Sequence, residues 1–273
     1  MTATVTTLRN DELIAKRNAR FPDLPDHMKH LPIDDRGFPV PWFVVWTDEG
    51  PQFPVADGNK LSRAYLNDLC WVCGGPLGKW RASVIGPMCA VNLTISEPQS
   101  HTECARFSAR NCPFLANPRM GRVPVAKLEA ATASDPRALS EPAGCGLKRN
   151  PGAVCVWISP EKVQAWSPDC KGIVFRLPKA YAVEWYAHGR DATRSEVIMS
   201  IKTGLPALFA LCDEQEGAFD QLGLQVAAVV PLLPFHGAPD AMDCSECGKS
   251  TNDQTVLGCT LERCPLFGEG PVT

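Results

Sequence analysis

CWVCGG, residues 70 to 75, sets two cysteines two residues apart and follows them with Gly74 and Gly75. Two thiolates at that spacing can grip one ion, and glycine lets the chain turn back so closely that backbone amides reach the sulfurs. The pattern reads as a zinc knuckle. SHTEC, residues 100 to 104, supplies the matching half. There Ser100 and Glu103 read as a capping box, with Ser100 as the N-cap. That places His101 and Cys104 three residues apart on one face of the first helical turn, where the positive end of the helix favours the thiolate form of Cys104. Knuckle, intervening hairpin and ligand-bearing helix predict a treble-clef-like unit built around Zn2+ on Cys70, Cys73, His101 and Cys104.

Two further cysteines keep the ligand set open. Cys89 in IGPMC and Cys112 in NCPF fall in the same segment, and either can stand in for His101. An all-cysteine set would also accept an iron–sulfur cluster. A displaced His101 would be free to act as a general base, with Glu97 and Glu103 as nearby carboxylates. Asn92 and Asn111 do not make the paired His and Asn arrangement that a nuclease of the HNH type displays. The tail carries a second set, Cys244, Cys247, Cys259 and Cys264, in the order C-x2-C-x11-C-x4-C. With few apolar residues around it, a second zinc in a small ribbon is what would order that stretch.

The 273 residues include 13 cysteines. The opening MTATVTTLRNDELIAKRNARF lacks the apolar stretch of an export signal, and the apolar run from Leu222 to Phe235 is too short and proline-broken to span a bilayer. The expected setting is therefore the cytoplasm, with no membrane partner and with thiols reduced and available to metal. A net charge of −3 gives no global attraction to nucleic acid. Locally, Arg106, Arg110, Arg119 and Arg122 follow the second ligand pair with no acidic residue between Ala105 and Ala126, a candidate phosphate-facing patch. The phosphate-loop, dinucleotide, nucleophile-elbow and HExxH motifs are all missing, which disfavours the familiar enzyme classes that carry them.

Along the chain, residues 1–38 read as an extended lead-in with a short helix at 9 to 20. PVPWFVVW, TDEGP and QFPVAD then read as a hairpin, followed by a helix at 58 to 69 that delivers the first cysteine pair. The zinc-binding unit covers 39–116, a linker rich in Ala, Pro, Gly and Arg covers 117–151, a mixed α/β domain covers 152–235, and the ribbon tail covers 240–268. In the mixed domain AVCVWIS, GIVFRL and YAVEWYA read as strands. Thr193 with Glu196 is a second capping box, opening helices expected at 193 to 203, 205 to 214 and 217 to 230. His188 and Arg190 read as surface residues of the turn before that cap. The fold class is α+β, the small mixed domain ending in helices.

CWVCGGPLG, VIGPMCAVN, SEPQSHTECA and CPFL resemble a family of uncharacterised proteins in bacteriophage and bacterial genomes. LPIDDRGFPVPWF and WYAHGRDATRSEV extend the likeness over most of residues 30 to 235, leaving the tail outside it. The resemblance implies a phage or prophage origin, so that the cytoplasm in question would be that of a host bacterium, and no particular reaction. Together these readings predict a zinc-binding accessory or interaction protein, its zinc mainly structural and its partner a host or phage protein or nucleic acid. The alternative is a metal-dependent, nuclease-like enzyme.

Overall fold

The computed structural model describes residues 2–48, 50–118, 120–133, 135–139, 143, 150–167, 172–212 and 216–234, with the backbone alone for 2–9 and 131. Arg119 and the tail cysteines 244, 247, 259 and 264 lie outside the described residues. In chain order the elements are α1 (Thr2–Arg20), β1 (Val44–Thr47), β2 (Gly50–Asp57), α2 (Gly58–Leu66), β3 (Arg81–Ile85), α3 (Pro87–Asn92), β4 (Thr94–Ile95), β5 (Ser100–His101), α4 (Thr102–Asn111) and α5 (Pro113–Ala116). They continue with α6 (Val125–Thr132), β6 (Ala138–Leu139), β7 (Val154–Ser159), β8 (Gln164–Trp166), β9 (Val174–Arg176), β10 (Ala182–Ala187), β11 (Arg190–Asp191), α7 (Arg194–Cys212) and α8 (Ala218–Val229). The protein is mixed α and β.

The organising element is a five-stranded antiparallel sheet in the order β11-β10-β7-β3-β5. Every residue of its central strand β7, VCVWIS, is buried. Because strand side chains alternate, the two faces separate cleanly. Cys155 and Trp157 join Ile85, Trp185, Ile201, Leu205 and Val226 beneath α3, α7 and α8. Val154, Val156 and Ile158 join Ala82, Tyr186, Ala105 and Ala109 beneath α4. A continuous apolar run is what a strand covered on both faces needs. Where α7 crosses α3 the approach is close: a Cβ on Gly204 would stand 2.8 Å from the Met88 side chain.

Two smaller sheets flank this one. β1 and β2 form the expected hairpin, with β6 added on the far edge of β2. β4, β9 and β8 form the other, burying Phe175 completely.

The central sheet joins the two halves of the chain. β3 from the first half pairs along its whole length with β7 from the second, Arg81 opposite Ser159 through Ile85 opposite Cys155. Neither half can complete the central sheet alone. The 117–151 stretch also contributes structure: β6 pairs Ala138 with Asp57, and Leu128 of α6 is buried against Val45 and Val55. A short edge strand and a two-turn helix are too brief to show as periodicity among alanines and prolines.

One helix differs from expectation: α7 runs unbroken from Arg194 to Cys212, through Pro206, where the sequence suggested two helices at 193 to 203 and 205 to 214. Pro206 and Lys202 are both exposed, so the carbonyl that loses its donor faces solvent, while buried Gly204 and Leu205 hold the helix to the core. Among the described residues α7 is also the one helix long and apolar enough to cross a membrane. Val197, Ser200, Ile201, Gly204 and Leu205 turn inward, while Met199, Phe209 and Leu211 are exposed. The second capping box is present as read, with the Thr193 amide donating to Glu196 at 2.8 Å and the Glu196 amide donating to the Thr193 hydroxyl at 3.2 Å.

Candidate metal centre

Leu69 and Pro76 pair as an isolated antiparallel bridge, and inside it the Cys70 amide donates to Gly75 and the Gly74 amide to Cys70, at 2.7 and 2.8 Å. This closes the knuckle. Gly74 has φ +75, and a Cβ there would meet the Trp42 ring at 2.7 Å, so the turn requires glycine both for its backbone and for its contact.

The second half arrives by a different route from the one expected. Ser100 and His101 form the edge strand β5, pairing with Ala82 and Arg81, and α4 starts only at Thr102. His101 occupies the cap with extended backbone and no capping side chain, so the Ser100–Glu103 capping box does not form. Sheet pairing claims Ser100, and Glu103 instead faces His27 at 3.3 Å. Cys104 still lies in the first turn of α4, with His101 at the helix cap just ahead of it.

Knuckle and helix start bring Cys70, Cys73, His101 and Cys104 together, with one ligand atom from each and all four within 4.8 Å of one another. Nδ1 of His101 stands 3.3 Å from Sγ of Cys73 and 3.8 Å from Sγ of Cys104. A tetrahedral ion with sulfur at about 2.3 Å and nitrogen at about 2.0 Å sets its donors about 3.5 to 3.8 Å apart, so these spacings fit one. Nε2 of His101 donates to the Pro76 carbonyl at 2.9 Å, which turns Nδ1 toward the sulfurs as the ring nitrogen a metal would take. The amides of Cys73 and His101 donate to Sγ of Cys70 at 3.4 and 3.3 Å. All three thiols are buried.

The protonation of the cluster points the same way. Burial opposes ionisation of Cys70, yet hydrogen bonds from Cys104, Cys73 and His101 outweigh it and hold its thiol far below the ordinary value. Those same hydrogen bonds, to Cys70 and Cys73, push Cys104 up, and the hydrogen bonds of His101 to Cys70 and Cys73 raise the imidazole to about 10. A buried thiolate that recruits a proton onto its histidine neighbour is a site short of positive charge, which a divalent cation supplies. The residues fit a metal ion such as zinc.

The other candidate residues lie elsewhere. Cys89 sits on α3 against the large core, its thiol pushed up to about 11 by burial, and Cys112 caps the end of α4, raised by burial as well. Neither belongs to the ligand cluster, nor do Glu97 and Glu103. Asn92 closes a local turn onto the Thr94 amide at 2.9 Å, and Asn111 donates back to Phe107 at 3.0 Å. The arginine patch is engaged too. Arg106 makes a two-pronged pair with Glu184, Arg110 pairs with Asp191 at 3.1 Å and lies over Tyr186, and Arg122 lies over Phe114. β10 and β11 provide the carboxylates, which are remote in sequence and so hidden from a local charge reading.

Sequence reasoning missed the lead-in's part in the site. Phe21, Leu24, Met28 and Leu31 are buried in one cluster with Cys70, Val72, Cys73 and Cys104. A ring nitrogen of His30 hydrogen-bonds the Cys73 carbonyl at 3.0 Å, and the ring of His27 stacks on that of His101 with centroids 4.4 Å apart. Apolar residues at 21, 24, 28 and 31 do keep a helical spacing, but the prolines between them masked it. No protein-family model, no curated protein and no solved structure matches the chain.

Proposed function

We propose that the chain is a phage-type accessory or interaction protein of the bacterial cytoplasm, folded around one structural Zn2+ in a treble-clef-like arrangement. The observation that carries this reading is the convergence of three buried thiols and one oriented imidazole within 4.8 Å. Four protein donors fill a tetrahedral sphere, as structural sites do, and leave no coordination position for the water that a metal-dependent nuclease activates. The backbone amides on Cys70 and the Pro76 carbonyl on His101 complete the surroundings that such sites use. Thiolate and imidazole donors favour zinc over the hard cations that bind oxygen.

The test is metal content per chain, by mass spectrometry, on protein purified under reducing conditions, for the full chain and for a version ending at residue 238. One zinc in the shortened chain, lost in Cys70→Ser with Cys73→Ser, is the expected result. A second zinc present only in the full chain would assign the tail cysteines 244, 247, 259 and 264. A shortened chain that folds without metal overturns the proposal.

A further inference from the structure

Trp80 precedes β3, Tyr181 precedes β10, and Pro160 follows β7, so antiparallel pairing gathers all three at one end of the central sheet. There the rings of Trp80 and Tyr181 meet with centroids 4.5 Å apart and planes inclined at 45°. The pair is unusually open for its size: Tyr181 is 72% and Trp80 39% exposed. Lys79 lies over the Trp80 ring, its Nζ 5.4 Å from the centroid, and Lys179 is exposed two residues before Tyr181. Arg81 follows Trp80 directly, and Lys162 joins it on Asp68 at the same end, at 2.6 and 3.1 Å. The acidic groups here are Asp68, engaged by both of those cations, and the exposed Glu161. Lys79, Arg81, Lys162 and Lys179 against Asp68 and Glu161 leave this end positive, in a chain whose formal net charge is −3.

We propose that this end of the sheet is a platform for single-stranded nucleic acid, with Trp80 and Tyr181 stacking on bases and Lys79 and Lys179 facing the phosphates. Exposed aromatic faces accept any base, and lysines beside them track the backbone, the combination that unpaired strands require. A duplex keeps its bases stacked inside and offers these rings nothing. The platform is distinct from the Arg106–Arg110 face, whose charges are already matched by Glu184 and Asp191. It names the partner class for the interaction role proposed above and rests on that reading.

The experiment is fluorescence anisotropy of labelled oligo(dT), oligo(U) and a duplex of equal length, titrated with the full chain in low and moderate salt, with zinc content measured on each sample. Binding of one or both single strands in preference to duplex, weakening with salt, is expected, and the two strands separate DNA from RNA as the source. Trp80→Ala with Tyr181→Ala should weaken binding about five- to hundredfold. Trp80→Phe with Tyr181→Phe should retain most of it, and Lys79→Glu with Lys179→Glu should flatten the salt dependence. No binding by the unaltered chain, equal binding of duplex, or full binding by the alanine pair with zinc retained overturns the platform while leaving the metal centre standing. Loss of zinc from the unaltered chain counts instead against the reading of the centre.

Discussion

Two cores stabilise this protein by different physics. The large core between the central sheet, its flanking β4-β9-β8 sheet and the helices α3, α7 and α8 buries Trp157, Phe175, Trp185, Ile201 and Leu205, large side chains whose removal from water carries the folding free energy. Around the knuckle the buried set is Phe21, Leu24, Met28, Leu31, Val72 and three cysteines, drawn from three separate stretches of chain, 21–31, 70–73 and 104. The first core depends on apolar area. The second is small, and the ion proposed at its centre would supply the order that area alone does not.

The largest expected effect breaks the second core and spares the first. Cys70→Ser with Cys73→Ser should abolish zinc binding and collapse hydrogen-exchange protection across residues 21–31 and 69–77, while amides of β7 and β10 stay protected. Uniform loss across both regions would show one cooperative unit. The converse is Phe175→Ala, which should cost about 3 to 5 kcal/mol in denaturant unfolding and leave one zinc bound in the chain ending at 238. Loss of metal in that variant would break the distinction.

Chelation gives an intermediate effect. A strong zinc chelator should make the Phe21–Leu31 segment sensitive to limited proteolysis, with cleavage mapped by mass spectrometry, because its burial partners are the ligand cysteines themselves. An unchanged digestion pattern in chain shown to be metal-free would detach the segment from the ion.

A smaller effect lies at the junction between the cores. The Arg106 hydrogen bonds hold the Glu184 carboxyl below its ordinary value, against its partial burial. A depressed carboxylate stabilises above the unfolded pKa of about 4.3, and that contribution fades as pH falls through the lower folded value. Glu184→Gln should therefore lower stability at pH 7 by about 1 kcal/mol or less, given how exposed Arg106 is, and flatten the acid limb of a stability–pH profile. Thr193→Ala, removing a cap that belongs wholly to the sheet core, should cost about 1 kcal/mol with no change in metal content.

How much of each core could be read from the chain follows the same division. The cluster of Cys70, Cys73, His101 and Cys104 was legible because metal chemistry would fix residue type and spacing locally. β7 was legible as a strand because burial on both faces demands an unbroken apolar run. What stayed hidden was long-range: the pairing of β3 with β7, the carboxylates that meet Arg106 and Arg110, and the packing of the lead-in. The capping boxes are instructive as a pair. Thr193 and Glu196 form theirs although Arg190 also pairs with Glu196, because that cation is a near neighbour in sequence and approaches beside the cap, whereas Ser100 is taken by β3 and Glu103 by His27. A local motif holds only where no distant partner outbids it.

The burial of the lead-in against the ligand cysteines also sets a timetable for synthesis. Met28 leaves the ribosome 76 residues before Cys104, the last ligand of the cluster. At about 5 to 20 residues per second, that is roughly 4 to 15 seconds in which Phe21, Leu24, Met28 and Leu31 have no place to dock. Pro22, Pro25, Asp23, Asp26 and Lys29, interleaved with those apolar residues, suit a nascent segment that must stay soluble and resist β-pairing while it waits.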